Sequence, residues 1–146
     1  MFPDSCFLIL LYGVILAAMG EKLDLQFTPQ SFGQLLLQHI PVEDFLTEVF
    51  KGDEGKNYQK MCSALKAYHH QNGGAPEVVA FETDGLKFDL ATLSGSFVCK
   101  FKVSFFFGCD DLYIDKLDSI SWQFKIDKAA HLIHFTGEEP WSIDGN

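Results

Sequence analysis

The hydrophobic pattern of this chain changes its period once, and that change limits the folds open to it. Between residues 28 and 68 the apolar residues recur at the three- and four-residue spacing of amphipathic helices. From Glu77 onward they alternate with polar residues, as in half-buried β-strands. Helices followed by strands predict an α+β domain, in which three N-terminal helices pack on a curved antiparallel meander of about five strands.

Start and stop signals divide the helical part into three segments. The first helix is expected to begin at Thr28-Pro29, a capping hydroxyl followed by a proline. The second begins at Pro41 and ends at Gly52. The third covers residues 58–74, whose last three residues, Asn-Gly-Gly, are typical of a helix end. Each segment has one apolar stripe, which indicates that each packs against another layer.

Two short turns are predicted in the alternating part. Asp84-Gly85 is a strong signal for a two-residue hairpin turn, and we expect a second turn at Lys128-Ala129. Both turns would place apolar side chains opposite one another. Across the first turn, the expected pair is Phe81 with Phe88. Across the second turn, the expected pairs on the apolar face are Ile126 with His131, Phe124 with Ile133 and Trp122 with Phe135. On the opposite face, Gln123 would pair with His134.

Two long strands, over residues 96–107 and 112–126, lie between these turns. If Phe107 pairs with Leu112, the same register places Lys116 opposite Val103 and Asp118 opposite Phe101, on the apolar face. A buried charge is costly unless it is paired, so this position needs an explanation.

Two interpretations of Lys116 and Asp118 stay open at this point. A β-bulge near Leu117 would return both side chains to solvent, and we favour this interpretation. Alternatively, Lys116 and Asp118 line a pocket with His131 at its rim. Such a group would suit proton transfer, because burial shifts the pKa values of ionisable side chains.

The first twenty residues predict a secretory signal peptide. An apolar run from Cys6 to Met19 ends in the small-x-small sequence Ala18-Met19-Gly20. The run is short for a bilayer span, which needs roughly 20 apolar residues, so an uncleaved anchor is the weaker alternative. We therefore expect a signal peptide over 1–20, a single domain over 21–146, and an extracellular, secreted protein. The tail after residue 136 has no assigned element, although Trp141 is expected to dock onto the domain.

Three cysteines would remain after cleavage: Cys62, Cys99 and Cys109. An odd number in an oxidising compartment is typical of one disulfide plus a free thiol. Buried free thiols are an equally good interpretation. The sequence leaves the pairing open.

Charge and motifs exclude several classes of function. The chain has a net charge of −9, and all eleven of its basic residues are lysines. An acidic chain without arginine is a poor partner for nucleic acid or an anionic membrane. It also lacks G-x-S-x-G, C-x-x-C and H-E-x-x-H motifs, and its aspartates lack the spacing of a calcium loop. We expect no metal and no cofactor, and we lean against an enzyme.

The layout of helices followed by long, Phe-rich strands behind a signal peptide resembles the cystatin-like α+β rolls, and among them the secreted NTF2-like proteins, over residues 28–136. The resemblance implies a curved sheet and a helix around a conical pocket. Family members use that pocket for isomerase or dehydratase chemistry or for ligand binding.

Three functions follow as hypotheses. The first is a secreted, non-enzymatic binding protein for a small apolar ligand or a protein partner, either as a monomer or as a homodimer. Its ligand-binding residues would be Phe101, Val103, Trp122 and Phe124. The second is a cofactor-free lyase or isomerase that uses Asp118, His131 and Lys116. The third is an extracellular inhibitor or effector, which would need an exposed apolar patch in place of a pocket.

Overall fold

The computed structural model describes residues 20–70, 74–108 and 112–139. The signal peptide predicted over residues 1–20 lies outside the described residues except for Gly20, and Cys109 and Trp141 lie outside them as well. Within the described ranges, no helix has both the length and the apolar character needed to cross a bilayer.

The predicted α+β class is confirmed: three helices pack on a curled antiparallel sheet that forms a half-barrel. The helices are α1 (Pro29–Leu36), α2 (Val42–Lys51) and α3 (Lys56–Ala67), and a 3₁₀ turn over Asp53–Gly55 joins the last two. The strands are β1 (Lys22–Gln26), β2 (Ala75–Glu77), β3 (Phe81–Asp89), β4 (Ser94–Phe107), β5 (Leu112–Asp127) and β6 (Leu132–Gly137).

Local chemistry explains where the helices begin and end. The Thr28 hydroxyl accepts a hydrogen bond from the Ser31 backbone N–H at 3.2 Å, and Pro29 opens α1 as expected. Helix α2 ends at Lys51, directly before the predicted stop at Gly52. The third helix ends at Ala67, earlier than the predicted Asn-Gly-Gly, and residues 68–70 form a turn.

The strand order across the sheet is β1-β6-β5-β4-β2, and β3 also pairs with β4. Strand β1 precedes the helices and was not predicted. It forms one edge of the sheet by pairing with β6. The long strands β4 and β5 form the centre, and they hold the remaining strands in place.

The register predicted for the two long strands is confirmed. Phe107 pairs with Leu112, and Phe101 pairs with Asp118. The pairing runs from one end of the hairpin to the other without a register shift. The β-bulge expected near Leu117 is therefore wrong, and Asp118 does belong to the concave face that also carries Phe101.

The hairpin predicted at Asp84-Gly85 is wrong. Both residues lie inside β3, where the register against β4 shifts between Asp84 and Lys87 as in a β-bulge. Gly85 has a φ of +63°. Glycine is favoured at positive φ, and both β-bulges and tight turns contain such positions. The chain reverses later. Asp89 pairs with Ser94, and the four residues between them form the turn.

The second predicted turn is also wrong in length. Asp127 pairs with Leu132, so four residues connect β5 to β6, and the Asp127 carboxylate accepts a hydrogen bond from the Ala130 N–H. The register therefore differs by two residues from the expected one. Phe124 faces Phe135 and Ile126 faces Ile133, while Gln123 faces Thr136 in place of His134.

The core lies between the concave face of the sheet and the apolar stripes of the three helices. Its fully buried side chains come from both layers. They include Phe45, Met61 and Leu65 from the helices and Phe97, Val103, Ile120, Trp122, Ile133 and Phe135 from the sheet.

Candidate functional site

A buried histidine and a carboxylate meet where the end of α3 contacts the sheet. His69 lies two residues beyond the last residue of α3, and its Nε2 atom is 2.7 Å from an Oδ2 oxygen of Asp118 on β5. The His69 side chain is 4% exposed and the Asp118 side chain 21% exposed. The pair therefore resolves the problem that the sequence posed, because Asp118 has a partner on the concave face.

The surroundings of His69 are aromatic. Its ring packs edge-on against Phe101 and Phe105, at centroid distances of 6.1 and 5.8 Å. The other oxygen of Asp118 accepts a hydrogen bond from the Ser119 backbone N–H. These contacts fix both side chains, and this arrangement suits a structural link between helix and sheet.

The structure does not bring the three predicted catalytic residues together. Lys116 is exposed on β5, and Asp118 is paired with His69. His131 is exposed in the loop after β5 and packs edge-on against Phe27. Nine residues of strand separate Asp118 from the end of β5, which corresponds to roughly 30 Å. His69, which does contact Asp118, was not among the predicted catalytic residues.

The four predicted ligand-binding residues are core residues. Phe101, Val103, Trp122 and Phe124 are all at most 5% exposed and pack with the helical side chains. The cavity beside Phe101 is an open trough of about 620 Å³, lined by three neighbouring strands. Its lining residues are Ala80, Phe81, Glu82, Lys100, Phe101, Lys102, Leu117, Asp118 and Ser119.

Two of the three candidate disulfide cysteines are free thiols. Cys62 on α3 and Cys99 on β4 are both buried and unbridged, so the structure has no Cys62–Cys99 disulfide. Burial raises the pKa of the Cys62 thiol to about 11 and also raises the pKa of Cys99, because a buried thiolate loses its hydration.

A group of large apolar side chains is exposed to solvent at the start of β5. Leu117 is 82% exposed, Tyr113 is 68% exposed, and Leu112 and Ile114 are each 46% exposed. We call these four residues the β5 patch. Tyr113 and Leu117 lie on the outer face of the sheet, where the Tyr113 ring packs on Phe106 at 4.8 Å. Leu112 and Ile114 lie on the concave face.

The same segment forms an open strand edge within the described residues. Strand β6 covers β5 only from Trp122 onward. The Ser121 N–H donates to the Glu138 carboxylate, and the Ser121 C=O accepts from the Glu138 backbone N–H. Both backbone groups of Ser121 therefore point away from β4. Since peptide groups alternate along a strand without a bulge, the N–H and C=O groups of Asp115, Leu117 and Ser119 point to the same open side.

Comparison with known proteins gave no match: no family model matches the chain, and no curated protein or solved structure does.

Proposed function

We propose that this chain is a non-enzymatic, extracellular binding protein that engages a protein partner through the β5 patch. The observation that carries the proposal is the coincidence of four exposed apolar side chains with an open strand edge. Exposed apolar groups that lie together are unusual on a monomeric surface and are typical of interaction sites. An open edge adds unpaired backbone groups that another strand can bond.

A protein partner is better supported than a small apolar ligand. Around the four predicted ligand-binding residues the concave face is filled by helical side chains, including Phe45, Met61 and Leu65. The side chains predicted to contact a ligand are buried among them. The β5 patch, in contrast, spans both faces of one strand, which suits an extended protein surface.

Catalysis has less support than binding. His69 and Asp118 form a tight pair, but aromatic rings surround the histidine. Lys116 lies two residues from Asp118 on the same face of β5 but is exposed, and His131 lies in the loop after β5. The layout still supports a roll of the NTF2-like or cystatin-like kind, and we keep that assignment as part of the proposal, with binding in place of lyase chemistry.

Comparative affinity capture from conditioned medium or cell surfaces tests the proposed function. The test variant is Tyr113→Ser with Leu117→Ser, which removes two exposed side chains from the patch. The matched control is Leu37→Ser with Val79→Ser, because these residues are also large, apolar and exposed (67% and 75%) but lie away from the patch. We expect a protein that the wild type and the control capture and the patch variant loses. Equal capture by all three proteins would contradict the proposal.

A further inference from the structure

We propose that the partner of the β5 patch is a second copy of this chain, and that the two copies pair their β5 edges antiparallel about a two-fold axis at Leu117. The inference rests on the proposed function and names its partner. Symmetric pairs of identical chains present the same surface to each other, so the surface must complement itself.

The backbone of β5 has the phase that such pairing requires. The N–H and C=O groups of Leu117 point to the open side of the strand, as do those of Asp115 and Ser119. On a two-fold axis at Leu117, each Leu117 N–H would donate to the Leu117 carbonyl of the other copy. The Asp115 N–H would likewise donate to the Ser119 carbonyl of the other copy, while the Ser119 N–H keeps its bond to the Asp118 carboxylate.

The side chains complement each other in this register. Directly opposite residues are those whose numbers add to 234, so Lys116 of each copy faces Asp118 of the other. These residues form pairs without hydrogen bonds between their backbones, in which side chains approach most closely. The Asp118 carboxylate already accepts bonds from His69 and Ser119, and a carboxylate has further acceptor positions for a lysine. The two Leu117 side chains, 82% exposed in one copy, would cover each other.

Neighbouring registers are less favourable. An axis at Asp115 places two aspartates opposite each other, and an axis at Lys116 places two lysines opposite each other. An axis at Ser119 needs the edge of Ser121 and Trp122, which Glu138 and β6 already occupy. The same contact of Glu138 limits the ladder around Leu117 to residues 115–119.

The chain's own tail is a weaker occupant of this edge. Continuing the register of β6 would place Pro140 opposite Ser119, where the ladder needs an N–H that proline lacks. It would also place Asp144 opposite Asp115, a like-charge pair.

Analytical ultracentrifugation of the purified protein tests the inference. Protein concentrations of about 1 µM to 1 mM cover the range in which weak dimers form. We expect a dimer whose dissociation constant rises roughly tenfold to a hundredfold in Lys116→Asp, because two attractive pairs become repulsive. Lys22→Asp is the matched control, since Lys22 is an exposed lysine on β1, which pairs with β6 and not with β5, and it should leave the dimer unchanged. Leu117→Pro removes an outward N–H without breaking the β4–β5 ladder, and it should abolish the dimer.

Cross-linking tests the register itself. In a Cys109→Ser background, Leu117→Cys should form a disulfide between copies under mild oxidation, since residues paired across such an axis have Cα atoms about 5.5 Å apart. Tyr113→Cys is exposed as well but lies off the axis, so it should cross-link poorly.

Three results would overturn the inference. The first is a monomer at every concentration, and the second is a dimer indifferent to Lys116→Asp and Leu117→Pro. The third is dimerisation only after removal of residues 140–146, which would assign the edge to the tail. None of these results bears on patch-dependent capture of a different protein, so the proposed function can fail or survive separately.

Discussion

The buried thiol of Cys62 gives a quantitative test of the described packing. Its pKa is about 11, raised from 9.0 by burial alone. At pH 8 a thiol of pKa 9 is roughly one-tenth thiolate, and a thiol of pKa 11 is roughly one-thousandth thiolate. Because the thiolate is the reactive form, we expect the native protein to alkylate at Cys62 about 100-fold more slowly than the unfolded chain. Restricted access to a side chain in the core would slow it further.

Peptide-level mass spectrometry measures this directly. The protein is pulsed with iodoacetamide at pH 8, natively and in guanidinium chloride, and the label on each cysteine is quantified separately. Cys99 is buried more deeply and serves as the internal reference, so it should react no faster than Cys62. Native labelling of Cys62 at the unfolded rate would refute the packing of α3 on the sheet. A Cys62–Cys99 disulfide would refute the free-thiol assignment.

The same thiols fix a sign for the pH dependence of stability. A folded-state pKa raised above its unfolded value means that the folded protein holds its proton more tightly. The contribution of the protonated Cys62 thiol to the free energy of unfolding is therefore fully present below pH 9 and is lost as the pH rises toward 11. Denaturation midpoints measured across this range should fall in the wild type and should fall less in Cys62→Ala.

Three further predictions concern the sheet. Tyr68→Phe should lower the free energy of unfolding by about 1–2 kcal/mol, because the Tyr68 hydroxyl donates to the Glu138 carbonyl and accepts from the Glu21 N–H; urea denaturation measures the loss, and an unchanged midpoint would contradict it. Gly85→Ala should cost about 1–2 kcal/mol and Gly85→Asn less, since the cost is backbone strain at a φ of +63° with open space around the Cβ; equal costs would point to a steric cause. The hydrogen bond that the His134 ring donates to the Asp24 carboxylate raises the pKa of His134 above 6.5, so the β1–β6 pairing should be most stable below pH 6.5 and weaken as the pH rises through the raised value; Asp24→Asn should flatten that profile in pH-dependent denaturation.

Side-chain alternation was sufficient to predict the centre of the sheet. Apolar residues occupy alternate positions of β4 and, apart from Lys116 and Asp118, of β5, so both sets share a face. The short connection between Phe107 and Leu112 then selects the register. The sequence was less informative where a shift of two residues preserves the faces. The β5–β6 register differs from the predicted one by such a shift. The hydrophobic pattern cannot distinguish the two registers, because both keep the apolar side chains on the same face.

Local turn signals were ambiguous for a physical reason. Asp84-Gly85 provides a positive φ, which a tight turn and a bulge both use. The choice depends on β4, which pairs with β3 on both sides of the irregularity. Strand β1 has a weak alternating signal in Leu23 and Leu25, but its five residues become a strand through pairing with β6.

The candidate site was predictable only in part. The register located Asp118 on the concave face and so exposed the problem of its charge. The partner, His69, comes from a distant helix end, and no local pattern joins the two residues. The exposed β5 patch resembled core alternation in the sequence, because the sequence does not show that β6 ends before covering it.

The most direct test of binding through the β5 patch is site-specific photo-cross-linking in the native medium. A photoreactive phenylalanine analogue at Tyr113 should trap a defined protein, and the trapped peptide identifies it as a second copy or a different partner. The same analogue at Leu37, which is exposed directly after α1, should trap little. Strong, specific adducts at position 113 and weak ones at position 37 are the predicted result. Equal, diffuse labelling at both positions would contradict the account.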